Sequence, residues 1–187
     1  MESKKIEKTG LRIVVVGTSC SGKTTLAGNI AGILDIQHFE LDELHWGPNW
    51  TSREDFADNV ILAIQNPQWV IDGNYRKVRD IIWEKVDVII WLNYSFPIVF
   101  WRALKRTLYR IFSQKELYAG NREKFLTSFF TSDSMLWWVI KTYKRRKKEY
   151  GQLSNRNDLS HLEIIQLNNP KEAELFLQNL QLELSKK

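Results

Sequence analysis

Residues 17–24 read GTSCSGKT and follow directly on the apolar, β-branched run LRIVVV of residues 11–16. Glycines at this point let the backbone wrap closely around phosphate oxygens, and a following helix presents unpaired N–H groups at its positive end. Leu26, Ile30 and Leu34 then repeat at helical spacing. The pattern predicts a strand, a phosphate-binding loop and a helix, and with them a nucleoside triphosphate ligand.

The residue types in this loop predict separate tasks. Lys23 is long enough to reach the β- and γ-phosphates, and the Thr24 hydroxyl is a ligand for Mg²⁺. Cys20 is either a small side chain at a variable position or a thiol whose modification blocks the site. The alternative to a nucleotide site is a glycine-rich turn that binds nothing. We predict that ATP and Mg²⁺ bind through Gly17, Thr18, Ser19, Cys20, Ser21, Gly22, Lys23, Thr24 and Thr25.

Composition narrows the class of protein. The chain has 187 residues, is 43% hydrophobic and carries a net charge of +5. This length suits one domain, predicted over residues 1–187 with a lid at about 113–133. The single cysteine excludes an internal disulfide, and no stretch matches a secretory signal or a membrane span, so we expect a cytoplasmic protein. The positive charge attracts nucleic acids and small phosphates alike.

Short β-rich runs alternate with helical periods, which is typical of an α/β protein with a mainly parallel sheet. Five strands are predicted, at residues 11–16, 38–41, 68–72, 87–92 and 162–167. Helices are predicted at about 23–34, 53–65, 97–112, 134–150 and 171–182. Thr51 or Ser52 is expected to cap the second helix, and Pro170 to begin the last. Ligands of such a sheet bind at the carboxyl ends of its strands.

The third predicted strand ends in VIDGNYR, residues 70–76. An acidic residue that closes an apolar strand near a phosphate loop is the usual place for a group that holds Mg²⁺ directly or through water. Asp72 is therefore the candidate metal residue beside Thr24. The alternative is a turn that Asp72 begins with Gly73, and one residue can serve both roles.

A strand that ends in D-G-N-Y-R, after a phosphate loop and a helix, resembles the adenylate-kinase-type nucleoside monophosphate kinases, whose element reads D-G-F-P-R. The resemblance implies that Asp72 is associated with magnesium, that Gly73 matches the intervening glycine, and that Arg76 grips the acceptor phosphate. Asn74 and Tyr75 depart from the pattern, and the loss of its proline bears on which acceptor is used.

A closer likeness covers nearly the whole chain. Residues 41–48 (LDELHWGP), 72–75 (DGNY) and 120–123 (GNRE) together resemble the adenylate-kinase-related proteins named topology modulation, or FlaR-type, proteins. This resemblance implies an ATP-binding P-loop protein with a kinase fold, and it supplies no substrate.

Asp42 follows the second predicted strand. In P-loop kinases that phosphorylate hydroxyls, such as enzymes similar to uridine kinase, an acidic residue at the matching place accepts a proton from the attacking hydroxyl or orients it. Two interpretations stay open: an acceptor pocket of Asp42, Glu43, His45, Trp46 and Trp50, or a helix cap beside core aromatics. The predicted acceptor-binding residues are Asp42, Trp46, Arg53, Gly73 and Arg76.

Arg102, Arg106 and Arg110 recur at every fourth residue, which places three guanidinium groups along one helical face. The polar stretch of residues 113–125 that follows contains Arg122 and is similar to the lid of a monophosphate kinase. Arginines of such a lid stabilise the charge on the transferring phosphoryl group. Arg106 and Arg122 are the predicted lid residues, and the alternative is a solvated basic face.

The densest charge run is KTYKRRKK, residues 141–148. A basic run at the C-terminal end of a predicted helix is favoured by the helix dipole and is usually a solvated face. The alternative is a surface for nucleic acid or another polyanion.

Together these patterns predict an α/β P-loop fold and an ATP-dependent small-molecule kinase. The predicted catalytic residues are Lys23, Asp42, Asp72, Arg106 and Arg122. The D-G-x-x-R resemblance favours a nucleoside monophosphate as the phosphoryl acceptor, whereas Asp42 favours a nucleoside or another hydroxyl compound. The rival hypothesis is a nucleic-acid-associated P-loop ATPase that has no second small substrate.

Overall fold

The computed structural model describes residues 11–113, 118–120, 134–153 and 162–186. The strands within these ranges are β1 Arg12–Gly17, β2 Gln37–Glu40, β3 Trp69–Asp72, β4 Val88–Leu92 and β5 Glu163–Leu167. The α-helices are α1 Lys23–Leu34, α2 Leu41–His45, α3 Phe56–Ala63, α4 Arg76–Trp83, α5 Phe96–Ser113, α6 Met135–Gly151 and α7 Pro170–Ser185. Short 3₁₀ turns lie at Pro48–Trp50 and Tyr118–Gly120.

The five strands form one sheet in the order β2-β3-β1-β4-β5, and every neighbouring pair is parallel. The prediction of a five-stranded sheet is confirmed. In the register, Val15 lies opposite Asp72, Glu40 opposite Asp72, and Gly17 opposite Leu92. The carboxyl ends of β1, β2 and β3 therefore meet at one edge, which is where the loop of residues 17–24 begins.

Both faces of the sheet are covered, as a parallel sheet requires. Ile13 and Val15 of β1 pack with Ile30 of α1 on one face, while Val14 and Val16 pack on the other. That second face is closed by α3 and α4, through buried residues that include Phe56, Val60, Val78 and Ile82. Each such side chain contributes roughly 1.5–3 kcal/mol by leaving water, so the core fixes the edge of the sheet on which the loops stand.

The predicted strands fall within one residue of the observed ones, but the second predicted helix does not begin at residue 53. It begins at Phe56, and neither Thr51 nor Ser52 caps it. The Thr51 hydroxyl instead donates to the Pro48 carbonyl, and Ser52 forms a β-bridge with Trp46. The short helices α2 and α4 were not predicted, because five and eight residues carry too little periodicity.

The last helix begins at Pro170 as predicted, with Asn169 as its cap: the Asn169 side chain accepts from the Glu172 N–H at 3.0 Å. Among the described helices, none combines the length and the apolarity needed to cross a bilayer. The predicted lid at about 113–133 falls almost entirely outside the described residues.

Candidate functional site

The loop between β1 and α1 needs its two glycines. Gly17 has a φ of 151°, and a Cβ there would stand 2.9 Å from the Leu92 carbonyl oxygen. Gly22 has a φ of 97° and is the residue that precedes the first turn of α1. Both conformations disfavour any residue with a side chain, so the backbone of this P-loop (residues 17–24) is set by its sequence. Cys20 is buried, which favours its interpretation as a small packing residue.

Lys23 lies over the P-loop, and its ammonium donates to the Thr18 carbonyl oxygen at 3.3 Å. Burial lowers the pKa of Lys23, and the nearby Arg146 lowers it further, while Asp72 and Asp42 act in the opposite direction. A cation that has lost part of its hydration gains more from an anion than a cation in water does. The position therefore favours a polyphosphate beside Lys23.

The two predicted metal residues touch each other. The Thr24 hydroxyl donates to Asp72 Oδ2 at 2.8 Å, and His38 Nε2 lies 3.0 Å from Asp72 Oδ1. Asp72 is only 4% exposed at the end of β3. Both carboxylate oxygens of Asp72 thus make contacts within the site. A turn that Asp72 begins with Gly73 therefore does not by itself account for the position of Asp72.

A hydroxyl and a carboxylate at the foot of a P-loop fit Mg²⁺, which binds through one or two protein ligands, with waters and phosphates completing its shell. No cluster of three or more histidine, cysteine or acidic ligands occurs in the described ranges. The donor set thus suits a metal that arrives with a nucleotide better than a permanently caged one. Sequence reasoning missed His38, because the pairing of β2 with β3 that brings it to Asp72 is not recorded in the sequence.

Asp42 lies in the first turn of α2, directly after β2, and its side chain is exposed. The Tyr75 hydroxyl donates to Asp42 Oδ1 at 2.6 Å. The residue at the cap position of α2 is Glu40, and no side chain caps this helix, so the capping interpretation of Asp42 is wrong. Asp42 borders the same cleft as the P-loop.

The aromatic residues around Asp42 form one cluster, as both open interpretations expected. The ring of His45 lies 4.5 Å from that of Trp46, 4.8 Å from Phe56 and 4.5 Å from Tyr75, measured between centroids. Trp46 in turn meets Trp50 edge to face at 5.7 Å. None of these rings is among the described residues that border the cleft, so the cluster serves as core beside α2, and the role of Trp46 in acceptor binding stays a prediction.

The two arginines predicted to bind the acceptor form ion pairs with other residues. Arg53 forks onto Asp55 at 3.0 and 2.8 Å, and these bonds lower the pKa of Asp55 to about 2. Arg76 is 65% exposed and lies 3.5 Å from Glu149 of α6. Neither arginine borders the cleft. At Gly73, whose φ is 143°, a Cβ would stand 2.6 Å from Leu41 Cβ, so close packing on α2 explains this glycine.

The cleft itself has a volume of about 560 Å³, in the range of small-molecule sites. Its floor is the P-loop, and Asp42 and Asp72 stand at one side of it. An apolar wall at the start of α6 and α7 includes Met135, Pro170, Ala173 and Leu177. Such a wall is suited to the flat face of a nucleobase.

The arginines of α5 have different roles. Arg102 borders the cleft, donates to the Ser21 carbonyl oxygen at 2.6 Å and lies over the ring of Tyr94, so it supports the P-loop backbone. Arg106 borders the cleft, and its Nε is buried without a hydrogen-bond partner in the described part of the chain. Arg122 lies outside the described residues, so its predicted role stays a prediction.

One member of the basic run was missed. Arg146 is partly buried on α6, and burial lowers its pKa, while Tyr150 raises it through charge and a hydrogen bond. It is close enough to Lys23 to lower the pKa of that lysine. The interpretation of a wholly solvated face therefore fails at this residue. Helical spacing could have identified this residue, because Arg146 lies on the same face of α6 as the buried Val139, Thr142 and Tyr150.

Asn74 ties the P-loop to α6. Its amide donates to the Gly17 carbonyl oxygen at 2.7 Å. Its Oδ1 accepts from the Tyr150 hydroxyl at 2.7 Å and from the Gly17 N–H at 3.4 Å. The departure from D-G-F-P-R at this position thus has a physical reason.

Solved structures share this fold along nearly the full chain. A gluconokinase from Sinorhizobium meliloti 1021 matches with a TM-score of 0.54 at 16% identity, covering 95% of this chain and 93% of that one. Shikimate kinase from Acinetobacter baumannii in complex with shikimate matches with a TM-score of 0.55 at 15% identity, covering 95% and 94%. Shikimate kinase from Bacteroides thetaiotaomicron gives 0.52 at 17%, covering 94% and 98%.

At these identities the likeness shows the fold alone, a parallel α/β fold that this chain shares with those kinases. No protein-family model matches the chain, and neither does any curated protein sequence. The resemblance to FlaR-type proteins therefore stays a prediction.

Proposed function

We propose that this protein is a Mg²⁺- and ATP-dependent kinase that phosphorylates a hydroxyl group of a small molecule. The observation that carries the proposal is the position of Asp42, whose carboxylate borders the cleft that also contains Lys23 and the touching pair of Thr24 and Asp72. A phosphate-binding loop, a metal pair and a carboxylate for the acceptor are thus found around one cavity.

On the nucleotide side, the backbone N–H groups of the P-loop and Lys23 would bind the β- and γ-phosphates. Thr24 and Asp72 are the residues that would hold Mg²⁺, which neutralises phosphate charge when it is bound. Among the described residues, Arg102 and Arg106 border the cleft and Arg146 lies near Lys23, so these cations would stabilise the charge that develops on the transferring group. An arginine that stabilises this charge is worth roughly 10³–10⁵ in the rate of phosphoryl transfer.

On the acceptor side, the structure favours a hydroxyl over a phosphate. An acceptor phosphate is already ionised and needs a cation, yet Arg76 turns to Glu149 and Arg53 to Asp55. A hydroxyl gains from a base, and Asp42 supplies one. In the reaction the acceptor oxygen bonds to the γ-phosphorus, the bond from that phosphorus to the β–γ bridging oxygen breaks, ADP leaves, and the hydroxyl proton passes to Asp42.

The experiment is ADP release with Mg²⁺ and ATP across matched pairs of acceptors, each nucleoside beside its monophosphate and each polyol beside its phosphate ester. We expect turnover with hydroxyl members, and a fall of about 10²–10⁴ in kcat for Asp42→Asn, which cannot accept the proton. Asp58→Asn, on the exposed side of α3, is the matched control and should keep the wild-type rate.

Two results would overturn the proposal. Turnover restricted to monophosphates, with Asp42→Asn only weakly affected, indicates a nucleotide kinase of the type that the D-G-x-x-R resemblance implies. Acceleration of ATP turnover by DNA or RNA alone, with no small acceptor active, supports the rival ATPase. The observation that still favours the ATPase hypothesis is a set of exposed basic residues on α6, namely Lys141, Lys144, Arg145, Lys147 and Lys148.

A further inference from the structure

Asp42 would be of little use as a base if its carboxylate rotated freely at the surface. It is exposed, and its position on the first turn of a five-residue helix gives it few neighbours of its own element. What holds it comes from 33 residues further along the chain, where the Tyr75 hydroxyl donates to Oδ1 at 2.6 Å. A bond this short between a hydroxyl and a carboxylate belongs to the stronger, charge-assisted class.

The hydroxyl of Tyr75 is itself held in place. The side chain of Trp46 also hydrogen-bonds to it. Its ring packs against His45 at 4.5 Å and against Phe56 at 5.1 Å, both measured between centroids. Burial raises the pKa of Tyr75 far above its ordinary value, and the charge of Asp42 raises it further, so the phenol stays protonated. The proton is therefore donated to Asp42, while the indole N–H of Trp46 fills the acceptor side of the phenol oxygen.

We propose that Tyr75 is a positioning residue that orients Asp42 for the acceptor hydroxyl. With Oδ1 occupied by the phenol, Oδ2 is left to receive the proton, and the plane of the carboxylate is fixed relative to the cleft. The inference rests on the proposed function, because it gives a task to a group that acts through Asp42. It also accounts for the tyrosine at the place where the D-G-F-P-R pattern has proline.

The size of the effect follows from the bond that is lost. A hydrogen bond to a charged group contributes roughly 1.5–3 kcal/mol, which corresponds to a factor of roughly 10–100 in rate when it is needed for orientation. Tyr75→Phe keeps the ring and its packing and removes the hydroxyl alone. We therefore expect kcat to fall roughly 10–100-fold while the KM for ATP and the Kd of ATP stay unchanged.

The test uses the full chain and the acceptor that gives turnover in the matched-pair screen. Tyr143→Phe is the control, because its hydroxyl donates to the Tyr94 carbonyl oxygen at 3.0 Å and has no part in holding Asp42. ATP titration of each variant shows that it is folded. Should Tyr75→Phe fail to fold, Trp46→Phe replaces it: it removes the outer donor, keeps an aromatic ring against His45 and Trp50, and should lower kcat in the same direction by less.

A double-mutant cycle separates positioning from a merely structural role. If Tyr75 acts through Asp42, then Tyr75→Phe has no further effect on kcat in the Asp42→Asn background. Equal fold losses in both backgrounds, or a wild-type kcat for Tyr75→Phe, overturn the inference. The outcomes also separate the two claims. Loss of rate in Asp42→Asn without loss in Tyr75→Phe rejects positioning alone, whereas an unimpaired Asp42→Asn rejects the proposed function as well.

Discussion

The nucleotide half and the acceptor half of the cleft are built in opposite ways. In the nucleotide half, eight consecutive residues form the loop, and two glycine conformations and the Ser21 and Thr18 carbonyl contacts fix its shape. In the acceptor half, Asp42 is exposed, and its partner Tyr75 comes from another strand end 33 residues away. The loop of the nucleotide half is one continuous segment that Arg102 and Asn74 support from distant positions, whereas the side chains of the acceptor half are brought together only by the fold.

This difference explains why a short sequence motif predicts the nucleotide half, whereas no such motif predicts the acceptor half. Phosphate binding needs backbone N–H groups at close range, so the same short pattern serves any triphosphate. Acceptor binding needs particular side chains at particular places, and many different segments can supply them. The variants below test whether the halves are as independent as this construction implies.

The largest expected effect comes from Lys23→Met, which should disable the nucleotide half while leaving the acceptor half folded. Loss of this preorganised cation should lower phosphoryl transfer by a factor of about 10²–10³ and weaken ATP binding in calorimetry. Free of ligand, the variant should melt no lower than the wild type, because burial disfavours the charged ammonium and lowers the pKa of Lys23.

The pH dependence of that gain has a definite sign. The pKa of Lys23 is lower in the folded protein than in the unfolded chain, so the folded protein binds this proton less readily. Lys23 therefore lowers the free energy of unfolding at any pH at which the unfolded chain is protonated at this residue. The difference in melting temperature between Lys23→Met and the wild type should therefore be present at neutral pH and fade as the pH rises toward the ordinary lysine value of about 10.4. A variant that melts well below the wild type at neutral pH contradicts this account of Lys23.

The next effect tests Asn74, which lies between the two halves. It precedes Tyr75 of the acceptor half in the chain and holds Gly17 of the nucleotide half through its side-chain N–H and carbonyl oxygen. Asn74→Leu leaves backbone groups of Gly17 and the Tyr150 hydroxyl without these partners, at a cost of about 1–3 kcal/mol for each group that stays unsatisfied. We expect the free energy of unfolding in urea to fall by about 2–3 kcal/mol and ATP affinity to fall with it.

Two milder variants separate the contributions of the individual hydrogen bonds to that loss of stability and ATP affinity. Tyr150→Phe removes the bond to Asn74 Oδ1 and the hydrogen bond to Arg146 but leaves both contacts of Asn74 with Gly17, so it should lose less ATP affinity than Asn74→Leu. Asn74→Asp keeps an acceptor oxygen for the Tyr150 hydroxyl and the Gly17 N–H but cannot donate to the Gly17 carbonyl oxygen, which lies 2.7 Å from the amide nitrogen. If Asn74→Asp binds ATP as the wild type does, the clamp on the Gly17 carbonyl is irrelevant to the nucleotide half.

The same division between the nucleotide half and the acceptor half determines how much of the structure could be predicted from the sequence. The parallel sheet, α1 and the Thr24–Asp72 pair could be predicted, since strand ends and the P-loop pattern place them together. The partners of Asp42 and Asp72, namely Tyr75 and His38, could not, because nothing local records which side chains meet across neighbouring strands. Arg146 was hidden by its neighbours: in a run of basic residues, charge density outweighed the helical spacing that marks the buried member.

The smallest expected effect concerns Glu149, which belongs to neither half. Its carboxylate accepts from Arg79 and lies 3.5 Å from Arg76, and these cations lower its pKa against the opposing effect of burial. Arg79 and Glu149 are both partly exposed, with 15% and 21% of their side chains accessible. Glu149→Gln should therefore cost about 1 kcal/mol at neutral pH, the upper end for an ion pair near the surface, and leave ATP affinity unchanged.

Because the folded pKa of Glu149 is depressed, its contribution is present above the ordinary glutamate value of about 4.3 and is lost as the pH falls through the lower folded value. The melting temperatures of Glu149→Gln and the wild type should thus differ by a constant amount between about pH 5 and 8 and converge below about pH 4. A difference that persists in acid means that the amide disturbs packing. A fall in ATP affinity means that α6 transmits the loss to Arg146, and that the nucleotide half extends beyond its local sequence.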